Sequence, residues 1–196
     1  MAFTQRSEPT RTAILKAARQ LLASRGYEAT TIRAVAKEAG IDPSMVMRYY
    51  GSKEGLFAAA VDVNLHLPQP SELSKHRVGE TLAHHLIARW EGELSDELIR
   101  LLLRSAGTNK GAAEQFRRIF EGQLLKFVRE LTGDAPDARR RAAMVSTQVL
   151  GLAYCRYILE LPAVVEIDAE TLARTLTPVL QHYLTGDLDA AVTPDQ

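Results

Sequence analysis

Residues 30–53 read TTIRAVAKEAGIDPSMVMRYYGSK, and they constrain the architecture more tightly than any other part of the chain. Ile32, Val35, Ala36 and Ala39 recur three and four residues apart, so they share one face of a helix predicted over about 32–39. A hydroxyl from Thr30 or Thr31 caps its start by accepting a backbone N–H that the first turn leaves unpaired. Gly40 stops it, because glycine enters the left-handed conformation at little cost. Ile41 turns back toward the core. Asp42 is an N-cap, and Pro43 suits the first helical position, where no N–H is needed. A second helix is therefore predicted from Pro43 to about Tyr50. Gly51-Ser52 breaks it, and Lys53 opens the next.

Two short helices joined by a tight, glycine-containing turn form a helix-turn-helix, whose second helix enters the DNA major groove. Away from Val46 and Tyr50, that second helix carries Pro43, Ser44, Met45, Arg48 and Tyr49. The set is small near the N-terminus, where bases are approached, and basic and aromatic further on, where phosphates lie. Arg33 has the planar guanidinium that matches the two acceptors of a guanine edge. Thr31 and Lys53 complete the candidate DNA contacts, Lys53 at a helix N-terminus that itself favours phosphate. Without the motif, Arg33, Arg48, Tyr49 and Lys53 read as solvated surface. Lys37 faces outward and fits either reading, and Tyr50 fits the core better than DNA.

Residues from about Thr10 to Asp62 resemble the DNA-binding domain of the TetR family of transcriptional regulators. The likeness rests on AILKAARQLLASRGYEATTIRAVAKEAGI, the short recognition helix, and SKEGLFAAAVD. Three positions depart from the family pattern. Met47 stands where the family usually has tyrosine, so any contact it makes is apolar. Tyr49 replaces a frequent histidine and Tyr50 a frequent phenylalanine. The resemblance implies an all-α protein: a three-helix helix-turn-helix DNA-binding domain over 1–66 and a helical-bundle effector and dimerisation domain over 67–196. It also implies double-stranded DNA and a second copy of the chain as partners, with a small-molecule effector.

Composition agrees with this class. The 196 residues are 46% hydrophobic and 24% charged, as in an ordinary soluble domain. Net charge is zero, but residues 1–66 carry +3 and residues 67–196 carry −3. The basic excess thus lies with the helix-turn-helix, and its small size predicts weak non-specific DNA binding that fades with salt. No apolar run reaches the ~18 residues of a membrane span, and MAFTQRSEPTR lacks the apolar core of a signal peptide. One cysteine, Cys155, fits a reducing cytoplasm. Residues 1–8 are polar and read as disordered.

A supporting helix is predicted from Ser7–Thr10 to Arg25, with Ile14, Leu15, Ala18, Leu21 and Leu22 inward, Gly26 as its stop and Tyr27 packed beneath the turn. A helix from Lys53 to about Leu65 would link the two domains mechanically. After the proline-marked boundary at 67–71, helices are predicted at 77–92, 95–107, 111–132, 135–160 and 168–184, with Ser95, Asp134 and Asp168 as starts and Gly133 and Gly186 as stops. Val164–Ile167 has β character but is too short for a sheet. In the family the last two helices form the dimer interface. Here they carry two apolar stripes: Ala142, Val145, Val149, Leu152, Ala153 and Leu159, then Leu172, Leu176, Val179, Leu180 and Tyr183. The competing reading buries both stripes within one chain.

Trp90 reads either as core or, with His85, Arg104, Phe120 and Tyr154, as lining of an effector cavity. His84-His85, with His76 and His182, lacks metal-ligand spacing, since adjacent helical residues diverge by about 100°. Cys155 reads as buried and unreactive. Arg139-Arg140-Arg141 reads as a solvated face oddly placed at a helix start. No catalytic constellation or cofactor motif is present, and Asp96-Glu97 looks like a helix start.

Overall fold

The computed structural model describes residues 8–91, 97–107 and 109–190. The expectations for residues 1–7, Ser95 and Asp96 lie outside this range. All regular elements among the described residues are helical: α1 (Glu8–Ala29), α2 (Ile32–Ala39), α3 (Pro43–Tyr50), α4 (Lys53–Ala60), α5 (Val78–Glu91), α6 (Glu97–Ala106), α7 (Lys110–Ile119), α8 (Leu125–Thr132), α9 (Ala138–Tyr157), α10 (Pro162–Val165) and α11 (Ala169–Thr185). By packing, the chain forms two compact units. Among the described residues, one joins 8–63 with 97–107 and 109–117, and the other joins 64–91 with 118–190. Residues 97–107 and 109–117, assigned from sequence to the effector and dimerisation domain, therefore pack with the N-terminal unit.

In the N-terminal unit α1 packs on α2, α4 and α6, α2 on α3, and α3 on α4. Its core is Ile14, Leu22, Val35, Val46, Leu56, Phe57 and Leu102, all nearly sealed from solvent. Gly26 interrupts α1 with φ 74° and ψ 177°, a region open essentially to glycine alone. The kink turns Tyr27 edge-on to Phe57, with ring centroids 5.0 Å apart. The α4 helix stops at Ala60, five residues earlier than the sequence suggested, and residues 62–69 have no regular structure. The Asn64 side chain accepts the His66 N–H at 2.8 Å, a local turn that competes with helix. Pro68 and Pro70 bar any continuation.

In the second unit α11 packs chiefly along α5 and also meets α8 and α9. The α5–α11 approach is close at Gly79, where a Cβ would sit 2.5 Å from the Gln181 backbone N. Between α7 and α8 the chain takes one π turn, Phe120–Leu124. Asp168 caps α11, accepting from Thr171 N at 2.9 Å, and Gly133 ends α8 with φ 67°. Asp134 is not a helix start. It follows Gly133 with φ 58°, and α9 begins after Asp137. Val164 and Val165 close the short α10 instead of a strand.

The arginine triplet at the head of α9 is tied down, not merely solvated. Arg139 bonds Glu121 at 2.7 Å and Arg140 bonds Asp189 at 2.7 Å. Arg141 donates to the Tyr183 and Gly186 carbonyls at 3.1 and 2.9 Å. These partners offset the adverse helix dipole. Cys155 is half-buried, not fully buried.

Candidate nucleic-acid interface

The recognition helix is positioned by short-range bonds. Thr31, not Thr30, caps α2, its hydroxyl accepting from Ala34 N at 3.1 Å. Thr30 is buried and donates to the Gly26 carbonyl at 2.8 Å. Gly40 closes α2 at φ 67°. Asp42 caps α3, accepting from Ser44 N at 2.8 Å, and the Ser44 hydroxyl and N–H hold its carboxyl below the usual carboxylate range. Ser52 caps α4, accepting from Gly55 N at 3.0 Å. Val46 is wholly buried and fixes the roll of α3.

That roll leaves Pro43, Ser44, Met47 and Arg48 exposed and Met45 and Tyr49 half-exposed. The Arg48 guanidinium lies 5.8 Å from the Tyr49 ring centroid, within cation–π distance. Tyr50 is half-buried. Arg33 is exposed on α2, as are Thr31 and Lys37. The structure thus brings the predicted DNA set onto α2, α3 and the head of α4, with Lys53 differing in its attachments. Its ammonium donates to the Glu28 carbonyl at 3.1 Å and sits 4.3 Å from the Tyr27 ring centroid. Tyr27 in turn donates to Glu54 at 3.1 Å. Burial first, and Glu54 second, raise the Tyr27 hydroxyl above its ordinary value. One of the three Lys53 donors therefore braces the unit, a role the sequence did not signal.

The five residues expected to line an effector cavity do not share a unit. His85 and Trp90 on α5, Phe120 in the π turn and Tyr154 on α9 belong to the second unit, and Arg104 on α6 to the first. Trp90 is buried edge-on to Tyr157 at 5.8 Å. Phe120 is half-buried and Tyr154 exposed. Arg104 is exposed and lines an opening of about 240 Å³ with Leu22, Tyr27, Glu28, Leu101 and Asn109. His85 Nε2 lies 2.9 Å from the Leu65 carbonyl. Gln123 Oε1 accepts from Leu65 N at 2.7 Å. Sequence reasoning missed Gln123, because only the π turn aims it. Among the described residues no cluster of His, Cys, Asp or Glu could hold a metal, and no helix is long and apolar enough to cross a membrane.

Comparison with known proteins agrees with this geometry. Residues 14–60 match the family described as bacterial regulatory proteins, tetR family. Residues 76–184, more than half of the chain, match the tetracyclin repressor-like C-terminal domain. The HTH-type transcriptional regulator UidR of Escherichia coli K12 is 34% identical over 55 residues, a match spanning 28% of either chain. The uncharacterized HTH-type transcriptional regulator YvkB of Bacillus subtilis is 41% identical over 51 residues, 27% of its length. Among solved structures, a TetR-family regulator from Streptomyces coelicolor A3 superposes with a TM-score of 0.62 at 27% identity, covering 94% of this chain and 99% of that one. NalD, the secondary repressor of the MexAB-OprM multidrug efflux pump in Pseudomonas aeruginosa, superposes at 0.67 with 21% identity, covering 94% and 100%; at that identity the likeness is one of fold. Regulators of this family bind DNA and act as dimers. The chain belongs to the TetR family and is a DNA-binding transcriptional regulator.

Proposed function

We propose that the chain is a cytoplasmic, ligand-responsive repressor that binds a palindromic operator as a dimer built on α9 and α11. The exposed side of α9 carries this reading. Met144, Gly151 and Tyr154, seven and three residues apart, lie on one side of the helix and face solvent. The opposite side, Ala142, Val145 and Ala153, is buried within the chain, as are Leu172, Leu176 and Leu180 of α11. The stripes marked from sequence are therefore largely intramolecular, and a second copy would cover the other faces. Exposed Pro178 and His182 would contribute from α11. Pairing doubles the base contacts of a short recognition helix and makes the operator two-fold symmetric.

A Gly151→Arg, Tyr154→Glu double variant tests this. A Cβ at Gly151 meets nothing within 4 Å, so the fold is retained. The expected result is a folded monomer by light scattering with operator binding lost; a variant that stays dimeric and binds would place the interface elsewhere.

The ligand reading rests on the connecting segment, residues 62–69. Leu65 is held through its N–H by Gln123 and through its carbonyl by His85. An effector lodged beside His85, Trp90 and Phe120 would alter that hold and pull on the chain leading back to α4. Such an effector acts only through different affinities for the two states. A releasing compound must therefore bind less tightly when operator is present, and equal affinity in both conditions would refute the coupling.

A further inference from the structure

We infer that Met47 is a specificity-determining residue that reads the C5-methyl group of a thymine in each operator half-site. The inference rests on the DNA-binding role of α3 and names the base chemistry it recognises. Met47 is 44% exposed, the one large apolar side chain left in solvent in the N-terminal unit among the described residues. Val46 is the fully buried residue of α3 and Tyr50 is half-buried on the same side, so Met47 lies on the outward face with Pro43, Ser44 and Arg48. It lies midway along the helix, one turn on from the small residues Pro43 and Ser44.

The chemistry of the groove narrows its partner. A thioether carries no hydrogen to donate and is only a weak acceptor, so Met47 gives nothing to a phosphate and little to a base edge. In the major groove of B-DNA the thymine methyl is the apolar group that distinguishes one base pair from another. Methionine is unbranched and polarizable and adapts to such a contact without a fixed rotamer. Arg48, next along the helix, supplies the charge for the backbone. Met47 is thereby free to report sequence. Burying one methyl corresponds to about fourfold in affinity per half-site, and to about fifteenfold when both half-sites of a symmetric operator lose it.

The test uses full-length protein and an operator selected from random duplex DNA. Each thymine is replaced in turn, symmetrically, by deoxyuridine, which lacks only the methyl group. Wild type, Met47→Ala and Met47→Leu are compared after circular dichroism confirms equal folding. The expected result is one thymine position whose demethylation weakens wild type and Met47→Leu by about fifteenfold and leaves Met47→Ala unchanged. Demethylation that is neutral throughout, or equally harmful to Met47→Ala, overturns the inference while leaving the DNA-binding role intact. Failure of wild type to select any operator overturns both.

Discussion

The short helices of the helix-turn-helix are capped by bonds that reach two or three residues along the chain, and the unit around them is braced by bonds that reach 25 to 41 residues, whereas the second unit is closed by bonds that reach more than a hundred. Asp42 caps Ser44, two residues on, and Thr31 and Ser52 cap partners three residues on. In the second unit Gly79 N donates to Gln181 Oε1 across 102 positions at 2.9 Å. Arg156 bonds Glu91 across 65 at 2.6 Å. Short-range capping fixes the ends of α2, α3 and α4 in the reading head locally, and a sealed core holds them together. Long-range closure makes the second unit depend on a few exact approaches between helices. Damage to the reading head should therefore cost function before fold, and damage to the second unit fold before function.

The largest expected effect probes the reading head. Replacing Arg48 and Tyr49 together with Ala should weaken operator binding on the order of a hundredfold, while melting temperature and dimer mass stay unchanged. Retained affinity would remove α3 from the interface. Next, Gly79→Ala should destabilise the second unit by about 2–3 kcal/mol, because the new methyl meets the α11 backbone at Gln181 N and at Thr177 O, 2.6 Å away. Urea unfolding measures this, and a neutral result would show that α5 and α11 slide freely.

Thr31→Ala removes a single cap and should cost about 1 kcal/mol, read by the same titration. A smaller effect concerns alkaline pH. Burial, reinforced by the Glu91 carboxylate, pushes the Tyr157 hydroxyl up to about 12 from an ordinary 10. Its stabilisation is whole below pH 10 and is lost as pH rises through about 12. Tyr157→Phe should flatten that part of the stability profile, and an unchanged profile would assign the loss to other groups.

The same contrast explains what was legible in the sequence. Caps and stops act on neighbours, so Thr31, Gly40, Asp42 and Pro43 announced α2 and α3 almost to the residue. The outward set Pro43, Ser44, Met45, Arg48 and Tyr49 is read against Val46 and Tyr50; Pro43, Ser44 and Arg48 are exposed, whereas Met45 and Tyr49 are half-exposed. Arg104 could not be placed from sequence, because nothing local signals that α6 packs on α1. Gly79 gave no hint either, since its value lies in the backbone of a helix a hundred residues away. The salt bridges of Arg139 and Arg140 were hidden for the same reason, and so was the end of α4, where the Ala60 carbonyl accepts from Arg19, 41 residues back, at 2.8 Å. Met47 stood out from sequence only as a departure, and its exposure became visible only in the fold.

The most direct measurement is selection of binding sites from a random duplex library by the purified protein, repeated at two salt concentrations. An inverted repeat should be enriched at both, with half-sites about one helical turn apart and non-specific binding lost at the higher salt. Enrichment of a lone half-site would contradict the dimer. No enrichment even at low salt would contradict sequence reading by α3.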